Sequence, residues 1–87
     1  MKGKPAISPV YLTATYKFDS SDELIDVVQK HEGYIYSRWD NPSVVEFEKT
    51  LAALEGFDHA VGFASGMAAI TSAVFAHIQS GSRIVAM

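Results

Sequence analysis

The stretch HAVGFASGMAAITSAVFAHIQ, from His59 to Gln79, decides which fold this chain can join. Its first part, His59 to Ala64, is short and mostly apolar and predicts a buried strand. Ser65-Gly66 predicts a turn. Met67 to Gln79 predicts a helix that is apolar on nearly every side, so we expect it to be buried.

The chain after this helix predicts a second strand. Ser80-Gly81 ends the helix, and Arg83 to Met87 is again mostly apolar. Strand, helix and strand together open a βαβ unit. A parallel pair with a single crossover helix would leave two open edges and an uncovered sheet face. We therefore expect an α/β chain that is a fragment, the start of a larger protein.

Upstream of this unit the sequence predicts an extended arm and a short helix. Val10 to Tyr16 is rich in β-branched and aromatic residues, which favours a short strand or an arm lying on a partner. Ser20 with Glu23 three residues later is a capping box. The amphipathic helix that follows should end near His31, with Gly33 as its stop.

A second helix is predicted from Asn41-Pro42, since Asn is a good N-cap and Pro fits the first turn. Gly56 should close it. An apolar stripe is predicted on one face and charged side chains on the other: Val44, Phe47, Leu51 and Leu54 against Glu46, Glu48 and Lys49.

Composition excludes several classes of partner and site. Seven Lys and Arg against ten Asp and Glu give a net charge of −3, so nucleic acid and anionic membranes are not expected partners. Without cysteine, disulfides and thiolate metal sites are impossible. No metal-ligand spacing links the three histidines. The apolar run from Met67 to Ile78 is shorter than the roughly 20 residues of a membrane span. With no secretory signal in view, we expect a cytoplasmic setting.

Two stretches could bind an anion. At Ser65-Gly66 a predicted helix begins, and its first N–H groups point toward any phosphate placed there. Tyr36 and Arg38 supply a hydroxyl and a bidentate guanidinium, which would converge if the segment is extended. The alternatives are an ordinary strand–turn–helix junction, and a packed tyrosine beside a solvated arginine.

Taken in order, these motifs resemble a known family. Tyr-Ser-Arg, Asn-Pro-Ser, Leu-Ala-Ala-Leu-Glu-Gly and Ala-Ser-Gly-Met-Ala-Ala-Ile, with the arm Pro9 to Thr13, look like the N-terminal part of the Cys/Met-metabolism enzymes that use pyridoxal 5'-phosphate (PLP). The family includes cystathionine synthases and lyases, methionine γ-lyase and acylhomoserine sulfhydrylases.

The resemblance implies the fold type I architecture, with residues 1–57 as N-terminal arm and helices and 58–87 as the incomplete start of the large, PLP-binding domain. It implies that Ser65, Gly66 and Met67 hold the phosphate of the cofactor. Tyr36 and Arg38 would reach the phosphate in a neighbouring subunit of a dimer or tetramer. Tyr36 would also assist proton transfer on a sulfur-containing amino-acid substrate, helped by a pKa that Arg38 lowers.

The same resemblance leaves parts of the enzyme outside these residues. None of the five lysines lies in the context of the family's Schiff-base lysine, so we expect no activity from the chain alone. Ile35 stands where cystathionine-handling members often carry an acidic residue, which favours a methionine γ-lyase or sulfhydrylase type. The alternatives are a non-catalytic remnant and a small phosphate-binding α/β module.

Overall fold

The computed structural model describes residues 2–87 and contains three helices. They are α1, Ser21–Lys30; α2, Pro42–Glu55; and α3, Gly66–His77. None of these helices has the length and apolar character that crossing a membrane requires. Over the described range, the β pairing consists of a single antiparallel bridge between Thr15 and Tyr36.

Helix α1 begins with the predicted reciprocal cap. The Ser20 hydroxyl accepts the Glu23 N–H at 3.1 Å, and the Glu23 carboxylate accepts the N–H of Asp19 at 2.9 Å. The second bond therefore goes to the residue before the cap rather than to the cap itself. After Lys30 the chain turns at His31, whose φ of 54° is left-handed, so the predicted end near His31 is confirmed. The residue that caps the helix is His31 itself, so the prediction of Gly33 as the stop is wrong.

Helix α2 also has the predicted ends. The Asn41 side chain accepts the Ser43 N–H at 2.9 Å, and Pro42 is the first helical residue. Gly56 closes the helix with a φ of 73°, a left-handed conformation that glycine adopts at little cost. The apolar stripe of α2 is largely exposed, because the helix packs through Ala52, which is 5% exposed.

The predicted strands are absent from the described structure. Residues 59–64 and 83–87 are extended or irregular and have no ladder partner. A strand exists only through hydrogen bonds to a neighbouring strand, and neither segment lies against one. The βαβ arrangement is therefore not confirmed, although its helix is present.

Helix α3 differs from the prediction in length and burial. It ends at His77, two residues before the predicted Gln79. The prediction that it is buried is wrong for the described chain, because Met67 and Phe75 are 68% and 69% exposed. Composition predicts that a helix needs cover, but a distant part of a fold must supply it.

The chain is open in shape and has almost no core of its own. Its Cα radius of gyration is 17.6 Å, whereas about 12 Å is expected for a compact domain of this length. Ala52 and Asn41 are the buried residues of the described range. Most large apolar side chains therefore remain in contact with water.

The N-terminal arm lies along the middle of its own chain. The Tyr11 N–H donates to the Ser43 hydroxyl at 2.9 Å, and the Ser37 N–H donates to the Ala14 carbonyl at 2.8 Å. Farther out, the Ser8 hydroxyl donates to the Glu46 carboxylate. The arm is therefore ordered against residues 35–46 of its own chain and, among the described residues, pairs only through the Thr15–Tyr36 bridge, so of the two predicted alternatives the arm fits and the short strand does not.

Candidate functional site

The two side-chain donors predicted at Tyr36 and Arg38 lie together, but for a different reason from the one expected. The segment is a turn, in which the N–H groups of Trp39 and Asp40 donate to the Tyr36 carbonyl at 2.9 and 3.1 Å. The alternation of side chains along an extended segment is therefore not what brings Tyr36 and Arg38 together. Instead the Arg38 guanidinium stacks over the Tyr36 ring, 5.0 Å from its centroid, as in a cation–π contact.

Ser37, between these two residues, holds the turn in place. Its hydroxyl donates to the Thr13 carbonyl and accepts the Asn41 side-chain amide at 2.8 Å. Backbone and side chain of Ser37 thus both bind neighbouring segments. The turn that carries Tyr36 and Arg38 is therefore fixed through the residue between them.

Asn41 is the residue that sequence reasoning undervalued. Besides capping α2, its amide nitrogen donates to the Tyr11 carbonyl at 3.1 Å. The side chain therefore joins the arm, the start of α2 and the turn at residues 36–40, which we call the donor turn. It is only 7% exposed. An Asn-Pro pair predicts the cap, but nothing local predicts the bond to Tyr11, which spans 30 residues.

The second set of donors lies at the start of α3. The Ser65 hydroxyl accepts the Ala68 N–H at 3.1 Å, which leaves its own proton free to donate. Within residues 2–87 the N–H groups of Gly66 and Met67 have no hydrogen-bond partner. A Cβ added to Gly66 would meet nothing within 4 Å, so an anion can approach this backbone.

A cavity of about 640 Å³ separates the two sets of donors. Arg38 borders it on one side, and the segment 61–64, which leads directly to Ser65, borders it on the other. Ser65, Gly66 and Met67 are not part of its lining. The structure therefore brings Arg38 beside the approach to the turn, but the five predicted residues do not surround one point within a single chain.

Two tyrosine rings lie together next to the donor turn, and one of them has a raised pKa. The Tyr16 and Tyr34 rings are 5.8 Å apart, and the Tyr16 hydroxyl is buried without a partner among the described residues. Burial raises the pKa of Tyr34 above 10.0, and the nearby Asp40 carboxylate raises it further. This tyrosine is therefore neutral at physiological pH.

The donor set fits a phosphate better than a metal ion. Two backbone N–H groups, a serine hydroxyl, a tyrosine hydroxyl and a guanidinium are all donors, and together they suit an anion. In the described part of the chain no group of three His, Asp or Glu side chains is placed to hold a metal ion. The phosphate of PLP therefore matches the available chemistry.

Comparison with known proteins gives the family. A family model described as Cys/Met metabolism PLP-dependent enzyme matches residues 2–87. No solved structure matches the chain significantly.

Several curated proteins are similar over most of the chain. An L-methionine gamma-lyase of Porphyromonas gingivalis is 38% identical over 80 residues, which are 91% of this chain and 20% of that protein. A chloroplastic cystathionine gamma-synthase of Nicotiana tabacum is 38% identical over 90% of the chain and 15% of its own length. For an O-acetyl-L-homoserine sulfhydrylase of Corynebacterium glutamicum the identity is also 38%, over 88% of the chain and 18% of that protein.

The chain thus spans about a fifth or less of the length of these relatives. The match nevertheless includes every residue of the donor turn and of the turn before α3. This chain therefore belongs to the family of Cys/Met-metabolism PLP-dependent enzymes, whose cofactor is pyridoxal 5'-phosphate.

Proposed function

We propose that this chain acts as the N-terminal segment of a PLP-dependent enzyme of sulfur amino-acid metabolism and that it holds the phosphate of the cofactor. The reaction class is transsulfuration: elimination or replacement at the β or γ carbon of cystathionine, methionine or an O-acylhomoserine. Residues 1–57 would form the arm and its helices, and residues 58–87 the start of the PLP-binding domain.

The observation that carries this proposal is that the first N–H groups of α3 have no hydrogen-bond partner within residues 2–87. Gly66 and Met67 present two unpartnered N–H groups at the positive end of a 12-residue helix. The adjacent Ser65 hydroxyl keeps a proton to donate. These three groups are proposed to bind the phosphate within their own subunit.

Tyr36 and Arg38 are proposed to bind the phosphate in a neighbouring subunit. Arg38 is exposed and makes no ion pair or hydrogen bond within residues 2–87, so its guanidinium is free to do so. The stacked Tyr36 ring restricts the guanidinium before any ligand arrives. Tyr36 is also proposed to hold or move a proton near the substrate amino group.

When bound, PLP supplies an electron sink for carbanions formed beside the substrate nitrogen. The residues described here would hold the phosphate of the cofactor and so fix its orientation. The half-buried Ile35 precedes Tyr36 and offers no charge to a distal amino group. This residue favours methionine or an O-acylhomoserine as substrate over cystathionine.

Amide NMR of the ¹⁵N-labelled chain tests the cofactor-binding role. Addition of PLP should shift the Gly66 and Met67 amide signals in a saturable way, and inorganic phosphate should shift the same signals. Pyridoxal, which lacks the phosphate, should not. Ser65→Ala should weaken PLP binding about tenfold, as expected for one lost hydrogen bond to a charged group. Equal responses to PLP and pyridoxal would refute the proposal.

Mixing two variants tests the contribution to the neighbouring subunit. In a mixed dimer of Arg38→Ala and Ser65→Ala chains, one of the two sites would combine an intact turn with an intact Arg38. PLP affinity should therefore recover at half of the sites. If Arg38 served its own subunit, every mixed site would carry one defect and no recovery would occur. Arg83→Ala, which changes an arginine outside the site, is the matched control.

Borohydride reduction with mass spectrometry tests the expectation about the lysines. A single lysine trapped stoichiometrically would show that this chain carries its own cofactor-anchoring lysine, contrary to the proposal. Weak labelling spread over several lysines is the expected result.

A further inference from the structure

Glu48 makes a contact that the sequence pattern did not predict. The sequence prediction counts Glu48 among the charged side chains that face away from the apolar stripe of α2, where solvent is expected. Instead the half-buried carboxylate accepts the N–H of Gly62 at 2.6 Å. Hydrogen bonds to an ionised carboxylate are shorter and stronger than neutral ones, so this is a firm link across 14 residues of sequence.

This link is the sole polar attachment of the segment that leads to the phosphate turn. Within the described residues, the bond from Gly62 to Glu48 is the only hydrogen bond that residues 58–64 make. No strand pairing fixes the segment. The position of Ser65 relative to α2 therefore depends on this one carboxylate and on apolar contact.

Gly62 lies directly against α2 at this point. A Cβ added there would come within 3.4 Å of the Glu48 carboxylate and 3.5 Å of a Val44 methyl group. Val44 and Glu48 are four residues apart and share one face of the helix. The segment is thus held at the helix surface by one polar and one apolar contact.

The same helix begins at the donor turn. Asn41 caps α2 and binds Ser37, the residue between Tyr36 and Arg38. Glu48 lies two turns farther along, and it borders the cavity that also contacts Arg38 and Ala64. Helix α2 therefore connects both sets of donors, through Asn41 at its start and Glu48 at its middle.

We propose that Glu48 is a positioning residue for the phosphate-binding turn. Its carboxylate fixes the approach to Ser65 on α2 and so sets the distance between the turn that serves one subunit and the donors that serve its neighbour. This inference rests on the proposed function of both sets. Glu48 itself touches neither phosphate nor substrate.

Amide NMR of the full chain tests this inference with three variants. Glu48→Ala removes the acceptor, Glu48→Gln keeps a neutral acceptor oxygen, and Glu55→Ala is the matched control, since it removes an exposed carboxylate from the end of the same helix. The readouts are the exchange rate of the Gly62 amide, the ¹⁵N relaxation of residues 61–67, and the affinity for PLP.

In Glu48→Ala the Gly62 amide should exchange about tenfold faster, in line with loss of a hydrogen bond to a charged group. Residues 61–67 should become more mobile, and PLP should bind more weakly. Glu48→Gln should restore part of each readout, and Glu55→Ala should match the parent. Unchanged exchange and relaxation in Glu48→Ala would overturn the inference.

The two failures are distinguishable. If the parent does not bind PLP through its phosphate, the proposed function is wrong, while exchange and relaxation still decide whether Glu48 fixes the segment. If the parent binds PLP and Glu48→Ala binds it equally well, the phosphate role stands and Glu48 does not position the turn.

Discussion

At the scale of the residue, Asn41 holds more of the structure together than its place in the sequence indicates. Its Oδ1 caps α2, while its Nδ2 donates to the Ser37 hydroxyl and to the Tyr11 carbonyl. A buried amide with every polar atom paired is stable, and the same amide with one partner removed is costly. The proposed phosphate donors on either side of Ser37 depend on this arrangement.

We predict that Asn41→Asp destabilises the arm and donor turn while leaving the α2 cap intact. Aspartate keeps the acceptor for the Ser43 N–H but loses the donor to Ser37 and Tyr11. The expected loss is about 1–3 kcal/mol, the cost of a buried polar group left unpaired. Urea unfolding followed by the fluorescence of Trp39 measures it, because this single tryptophan lies in the turn.

The exposed carboxylate Asp58 provides the control. Asp58→Asn makes the reverse chemical exchange away from the turn, so its urea midpoint should equal that of the parent. A common midpoint for Asn41→Asp and Asp58→Asn would show that the long-range bonds of Asn41 contribute nothing.

Tyr34 provides a pH-dependent prediction. Burial raises the pKa of Tyr34 above 10.0, and the Asp40 carboxylate adds to the shift. A tyrosine with a raised pKa is favoured in its neutral form by the folded state. Its contribution to stability is therefore complete below pH 10 and is lost as the pH rises through the folded pKa.

Asp40→Asn should lower the pKa of Tyr34, because it removes the negative charge and keeps an oxygen for the Asn41 N–H. Titration of tyrosinate absorbance measures the shift, and Tyr34→Phe identifies the late-titrating component by removing it. An identical late component in the parent and Asp40→Asn would contradict this explanation.

At the scale of the element, α2 is the helix against which other segments pack, but its apolar stripe stays largely exposed. The helix packs through Ala52, which faces the returning residues 58–60 across a small cavity. The exposed stripe includes Leu54, which is 79% exposed. Periodicity finds an apolar face, but which face is covered depends on the path of the chain after Gly56.

Hydrophobicity alone would suggest that a larger apolar side chain on α2 stabilises the chain and that a polar one destabilises it. We expect neither effect at the two positions tested. Ala52→Leu adds volume at the buried apolar position of α2, which is 5% exposed, and should destabilise the chain by about 1–3 kcal/mol. Leu54→Ser removes an exposed side chain and should change stability by less than about 0.5 kcal/mol. Parallel thermal melts by circular dichroism measure both, and a larger loss in Leu54→Ser would show that the stripe is packed.

At the scale of the whole molecule, three well-capped helices do not make a compact domain. The principal extents are 56 × 33 × 22 Å, and large apolar side chains on α2 and α3 face water. Burial of apolar area is the main favourable term in folding, so this chain draws little stability from its own contacts. The independent phosphate-binding α/β module is therefore not favoured by the structure.

What the sequence by itself determined is local: the starts of all three helices, the ends of α1 and α2, the N-capping residues and the free N–H groups at the start of α3. Caps and helix stops depend on side chains within four residues of one another, so the pattern contains them. The family could also be recognised from the order and spacing of the motifs.

What only the tertiary structure decided depends on residues far apart in the chain. A strand needs a ladder partner and a buried helix needs cover from another part of the fold. Composition alone therefore predicted strands and a buried α3, and the described structure has neither. The stacking of Arg38 on Tyr36 required a turn in place of the predicted extended segment. The bonds from Asn41 to Tyr11 and from Gly62 to Glu48 cross 30 and 14 residues, because the path of the backbone, not local pattern, brings those atoms together.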